Sequence, residues 1–133
     1  ELCILCDADY TQIDNEKNLG KIGVLASTLL SKTTEAVIVT GVKKEQDIYN
    51  IIVKKDGVSV VKSTLLKGSY SGTGDIFSSV VCGALTKGMD VFDAVTLATD
   101  FIYCSIKNTP TDKDYEPDGV NFHSALEMLI NAQ

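Results

Sequence analysis

The chain has 133 residues, a little under one average domain, and 44% of them are apolar against 23% charged, which excludes collagen-like, low-complexity and broadly disordered classes. Twelve basic residues against eighteen acidic ones leave a net charge of −6, so no general attraction to nucleic acid or to an anionic membrane surface is expected. The longest apolar stretches, Ala36 to Val39 and Phe77 to Leu85, fall far short of the roughly 18 to 20 residues a membrane span requires, and the opening Glu1-Leu2-Cys3-Ile4 shows no targeting segment.

Glu1 to Asp9 reads as the tail of a helix. It holds Cys3 and Cys6, a C-x2-C pair without a second pair to complete a zinc site; of these and Cys82 and Cys104, three sit among apolar neighbours in helix-like stretches, which suits reduced thiols of the cytosol. Asp14 is placed to cap a second helix, in which Leu19, Ile22, Leu25 or Ala26, and Leu29 or Leu30 recur at helical spacing as far as Lys32-Thr33-Thr34. Ala36-Val37-Ile38-Val39-Thr40, ended by Gly41, has the β-branched run of a strand buried on both faces in a parallel sheet. Asp47 to Lys55 and Val58 to Thr64 are strand-like and joined by Asp56-Gly57, the signature of a tight antiparallel hairpin.

The most glycine-dense stretch, Leu66 to Gly74, runs into a helix that begins at Asp75-Ile76-Phe77 and closes at Gly88. Asp90 caps a further helix with Val91, Val95, Ala98 and Ile102 on one face, ending near Asn108-Thr109-Pro110. A polar loop from Thr111 to Asp118 precedes a last amphipathic helix, Val120 to Leu129. Helices alternating with strands give the α/β class, and no linker or repeat divides residues 1–133.

Chemistry concentrates at Gly72-Thr73-Gly74-Asp75. Glycines admit a ligand close to the backbone, and the free N–H groups of a helix N-terminus cradle an anion or phosphate. Asp75 is either a favourable first-turn carboxylate or a base held beside that cradle, able to take the proton of a hydroxyl attacking the phosphate. Gly68, Gly72 and Gly74, three glycines over seven residues, favour the second. There is no G-x4-G-K-[ST] phosphate loop and no G-x-G-x-x-G dinucleotide fingerprint. Thr73 either binds phosphate or satisfies loop backbone; Tyr70 either borders a ligand or packs on the sheet edge. His123, the single histidine, suits a surface or packing role, and Lys54-Lys55 a solvated strand end.

Ser71-Gly72-Thr73-Gly74-Asp75-Ile76-Phe77 resembles the G-[TA]-G-D motif of the ribokinase-like superfamily, and its G-T-G-D-[IL]-F form is most similar to pyridoxal kinases. Val39-Thr40-Gly41-Val42 resembles that family's strand end beside the nucleotide phosphates, Pro117-Asp118-Gly119-Val120-Asn121-Phe122 its D-G-[VI]-x-F segment, and Glu1 the glutamate of its N-x-T-E motif. The resemblance implies a three-layer α/β/α sandwich, of which residues 1–133 would be the C-terminal half, with a mostly parallel central sheet and an antiparallel hairpin.

It also implies an ATP-dependent kinase acting on the 5′-hydroxymethyl of pyridoxal, pyridoxine or pyridoxamine, cytoplasmic and, as the full-length parent, a homodimer. Asp75 would be the general base and the amides of Gly72, Thr73 and Gly74 the anion hole. Thr40, Gly41, Lys43 and Leu66 would meet ATP, Leu65 and the helix from Asp90 to Asn108 would help form the adenine side, and Glu1 would position Mg²⁺ through water. The alternatives are another kinase of the superfamily, for hydroxymethylpyrimidine or a sugar, or a catalytically silent nucleotide-binding module. In the family pattern hydroxymethylpyrimidine kinases carry cysteine where Asp75 stands, and sugar kinases usually alanine at the position of Thr73.

Overall fold

Two tight turns fold residues 36–64 into a meander. In the computed structural model, which describes residues 1–14, 18–31, 33–68, 70–110 and 119–132, these strands are β1 (Ala36–Lys44), β2 (Asp47–Lys54) and β3 (Gly57–Thr64), in sheet order β1-β2-β3. The hairpin expected at Asp56-Gly57 is present, with Gly57 at φ 153°. A second hairpin joins β1 to β2, with Glu45 turning the chain at φ 56°, and the two strands run antiparallel from Ala36 opposite Lys54 to Lys44 opposite Asp47.

The parallel pairing expected of β1 is therefore not found among the described residues. A continuous β-branched run signals burial, not direction, and the Glu45-Gln46 turn carries no glycine to betray a hairpin. Burial is also shared differently: Ala36 to Val39 are half-buried, whereas Ile51, Ile52 and Val53 of β2 are almost fully buried.

The chain divides into two compact units, Glu1–Lys62 and Ser63–Gln133. The first contains the meander and three short helices, α1 (Leu2–Leu5), α2 (Tyr10–Asp14) and α3 (Leu19–Ser27). The expected tail from Glu1 to Asp9 shrinks to the one turn of α1, broken by Asp7 at φ 51°. The cap of α3 is Asn18, whose Oδ1 accepts the N–H groups of Gly20 and Lys21 at 2.9 and 3.3 Å. Asp14, the expected cap, is instead the last residue of α2: of two good cap formers, the chain uses the one directly before the first apolar residue of the periodic run. Ile22 and Ala26 of α3 close a core with Ile51 and Val53. Cys3 is buried, and the Cys6 thiol, half-buried, lies 3.6 Å from the Leu25 carbonyl it donates to; all four cysteines are free.

The second unit is built on α4 (Thr73–Thr86) and α5 (Val91–Lys107), which bury Phe77, Val80, Val81 and Ala84 on one helix and Ala94, Val95, Ala98 and Phe101 on the other. The expected cap is present: Asp90 accepts the amides of Phe92 and Asp93 at 2.7 and 3.2 Å. The Asp90 carboxylate also holds the Asp93 carboxyl above its usual range, by hydrogen bond and by charge. Buried hydroxyls are satisfied by carbonyls of α5, Ser105 by that of Phe101 and Thr109, just past the helix end, by that of Ser105, both at 2.7 Å.

The final helix starts later than its periodicity suggests. A 3₁₀ turn, His123–Ala125, leads into α6 (Leu126–Asn131). The residues before it bond back to α5: Asn121 N–H donates to Thr109 Oγ1 at 2.8 Å and Asn108 Nδ2 to Ser124 Oγ at 2.9 Å. Among the described residues no helix is long and apolar enough to cross a membrane.

Candidate active site

Gly72 is the N-cap of α4, at φ 78° in the left-handed region, and it supplies no side-chain acceptor. The intrahelical ladder begins with Ile76 N–H to Gly72 O at 3.0 Å, so the amides of Thr73, Gly74 and Asp75 have no acceptor within the helix. Among the described residues nothing lies within 4 Å of where a Cβ would sit on Gly72 or Gly74, so none of them fills the space beside these amides. Asp75, exposed in the first turn, adds a carboxylate to that end of the helix. Here the sequence-predicted Gly72, Thr73, Gly74 and Asp75 come together.

The loop before them is braced from within. Gly68 sits at φ 115°, and a Cβ there would stand 2.7 Å from the Tyr70 ring, so both conformation and space demand glycine. Tyr70 thus packs back on its own loop. Its carbonyl accepts the Thr73 hydroxyl at 3.4 Å, so in this structure that side chain braces loop backbone. Leu66 is half-buried in the link between β3 and α4, while Ser69 and residues 111–118, with Pro117 and Asp118 of the motif-like segment, lie outside the described residues.

Asp75 also borders a cavity of about 460 Å³, lined mainly by apolar side chains, among them Ile76 and Val80 of α4, Leu97 and Phe101 of α5, and Phe122 and Leu129 near the end of the chain. Lys87 adds a basic group to this lining. The helix expected to help form the adenine side, Asp90 to Asn108, contributes Leu97 and Phe101 to this lining; nothing in the sequence pattern marked α4 and residue 122 as its other walls. His123, exposed, stacks on Phe122 at a ring separation of 5.1 Å, in keeping with a packing role.

The other sequence-predicted residues belong to the first unit. Thr40 and Gly41 form a bulge in β1: the register shifts between Val39, opposite Ile51, and Val42, opposite Tyr49, so two residues face the single Asn50 of β2. Gly41 takes φ 72°, again with nothing among the described residues within 4 Å of a Cβ position. Its N–H donates to Asn50 Oδ1 at 3.0 Å, and Asn50 is only 5% exposed. Lys43 is exposed on β1, two positions beyond the bulge. Glu1, exposed, is the N-cap residue of α1 but makes no side-chain capping bond. Sequence reasoning passed over Asn50; the available signal was a lone amide amid the apolar run Ile51-Ile52-Val53 and its neighbours Ile48 and Tyr49.

The phosphomethylpyrimidine kinase family matches residues 1–117. A curated relative from Staphylococcus aureus (strain MRSA252), named hydroxymethylpyrimidine/phosphomethylpyrimidine kinase, is 33% identical over 101 residues, which are 74% of this chain and 36% of that protein. Among solved structures, one named for a phosphomethylpyrimidine kinase from Bacteroides thetaiotaomicron VPI-5482 superposes with a TM-score of 0.84 at 26% identity, covering 98% of this chain and 45% of that one. A second crystal form of it, with pyridoxal, gives a TM-score of 0.80 at 27% identity, over 98% and 46% of the two chains. An ADP complex of Bacillus subtilis pyridoxal kinase gives 0.68 at 25% identity, over 96% and 48%. The chain spans less than half the length of each of these relatives. With its first 117 residues matched and its fold shared throughout, the chain belongs to the phosphomethylpyrimidine kinase family, within the ribokinase-like superfamily.

Proposed function

We propose that the protein is an ATP-dependent kinase of a small heteroaromatic alcohol, transferring the γ-phosphoryl group to the 5′-hydroxymethyl of pyridoxal, pyridoxine or pyridoxamine. The observation that carries this reading is the N-terminus of α4, where amides without an acceptor in their helix, a Gly74 with no described residue against its Cβ position and the exposed Asp75 carboxylate coincide. Asp75 takes the hydroxyl proton as the substrate oxygen bonds to phosphorus and the bond from phosphorus to the departing ADP oxygen breaks. The amides of Gly72, Thr73 and Gly74, with that of Asp75, stabilise charge on the transferring group. Thr40, Gly41, Lys43 and Leu66 hold the nucleotide.

Glu1 suits Mg²⁺, which commonly relies on one or two carboxylates, substrate phosphates and water; its exposed carboxylate is not spent on capping α1. When bound, the ion would offset phosphate charge.

Two observations support a vitamin B6 substrate: Asp75 stands where the hydroxymethylpyrimidine kinase pattern has cysteine, and the Bacteroides protein was crystallised with pyridoxal. The second reading, phosphorylation of hydroxymethylpyrimidine, is favoured by the name of the Staphylococcus relative. The test is phosphorylation by the full-length protein with ATP, comparing pyridoxal, hydroxymethylpyrimidine and ribose. Pyridoxal is expected to give the highest kcat/KM. Turnover of hydroxymethylpyrimidine without pyridoxal would replace the first reading by the second, and turnover of none would remove both.

A further inference from the structure

The bulge at Thr40-Gly41 needs something to hold it. A bulge leaves one residue unpaired and the ladder locally broken, so its backbone has freedom that the flanking strand pairs lack. Here a side chain from the facing strand supplies the missing partner: Asn50 Oδ1 accepts the Gly41 N–H at 3.0 Å from a position only 5% exposed. A buried amide that takes the place of a ladder acceptor fixes the bulge in one conformation, and it does so where Gly41 lies at φ 72° with open space around it. Apolar neighbours Ile51, Ile52 and Val53 lock the strand that carries it.

Taking as given the nucleotide-binding role proposed above for Thr40 and Gly41, we infer that Asn50 is a positioning residue for the nucleotide: it does not touch ATP but holds the bulge that does. The alternative is that Asn50 serves only to satisfy a buried amide, in which case its loss weakens the fold without selecting among ligands. The two differ in what a substitution does to each substrate separately.

The experiment uses the full-length protein. Calorimetric titration with ATP comes first for the wild type, then steady-state kinetics and a ligand-free thermal melt for Asn50→Ala, Asn50→Ser and Asn50→Asp. Asn50→Ala is expected to raise the ATP KM and Kd about tenfold, with the acceptor KM and kcat at saturating ATP within about twofold of wild type. Asn50→Ser, whose hydroxyl is too short to reach the Gly41 amide, is expected to do the same and decides the matter if the alanine variant does not fold. Asn50→Asp keeps the acceptor but places a carboxylate at a position only 5% exposed, beside the proposed phosphate contacts, and is expected to weaken ATP binding at least as much as alanine. Unchanged ATP affinity in the alanine or serine variant, or a loss spread equally over ATP and acceptor, would overturn the inference. A wild-type protein that binds no ATP would bring down the nucleotide reading itself, a failure distinguished by that first titration.

Discussion

Asp75 has two sufficient reasons to be where it is, and they make different demands. A carboxylate in the first turn of a helix is favoured by the macrodipole by roughly 0.3 to 1 kcal/mol, and that alone accounts for an acidic residue after Gly74. As a general base it would contribute about a hundredfold or more to turnover. Asp75→Asn separates the two: turnover is expected to fall by at least about a hundredfold with the ATP Kd unchanged, read by single-turnover kinetics beside titration, whereas a purely structural carboxylate would leave the rate alone. At this scale the sequence was informative where glycines and an acid stood in a known order. It was uninformative where a role depends on a partner far along the chain. Asn50 matters through Gly41, nine positions away across a strand pair, and no local pattern announces that meeting. Thr73 likewise reads as a ligand donor or a loop brace until the Tyr70 carbonyl is in view.

Elements were legible in proportion to how much of their specification is local. The boundaries of α5 followed from Asp90 and from Asn108-Thr109-Pro110, because a cap and a proline act within a few residues of themselves. The Asp90 cap should be measurable by itself: Asp90→Ala is expected to cost about 1 kcal/mol, as a denaturant midpoint shifted at constant m-value. That figure is a net one, since removing Asp90 also frees Asp93 from the neighbouring carboxylate that now raises its pKa. A wild-type midpoint in the variant would show that the cap contributes nothing. Where specification is tertiary, the local signal misleads. The β1 run predicts a strand correctly but not its partner, and the Val120 periodicity overruns into residues held outside a helix by Asn108 and Thr109.

At the scale of the molecule, two units each hold their own core: Ile22, Ala26, Ile51 and Val53 in the first, and Phe77, Val80, Val95 and Phe101 among the buried residues of the second. Each unit also leaves large apolar side chains in solvent, Ile4 at 84% and Val24 at 71% exposure in the first and Ile130 at 69% in the second. Among the described residues of their own unit, nothing covers these side chains. The 133-residue chain is therefore expected to bind a hydrophobic dye and to self-associate as concentration rises, checked by dye fluorescence and by sedimentation velocity; a monomeric, dye-silent chain would contradict this. The composition could not foretell it, because an apolar fraction counts residues without saying which of them find a neighbour.

The hydrogen bond from Asn121 to Thr109 joins positions twelve apart in sequence, and the bond from Asn108 to Ser124 backs it up. Together they make the exit from α5 and the approach to Phe122 a single anchored point, so the wall that Phe122 gives the cavity depends on that knot.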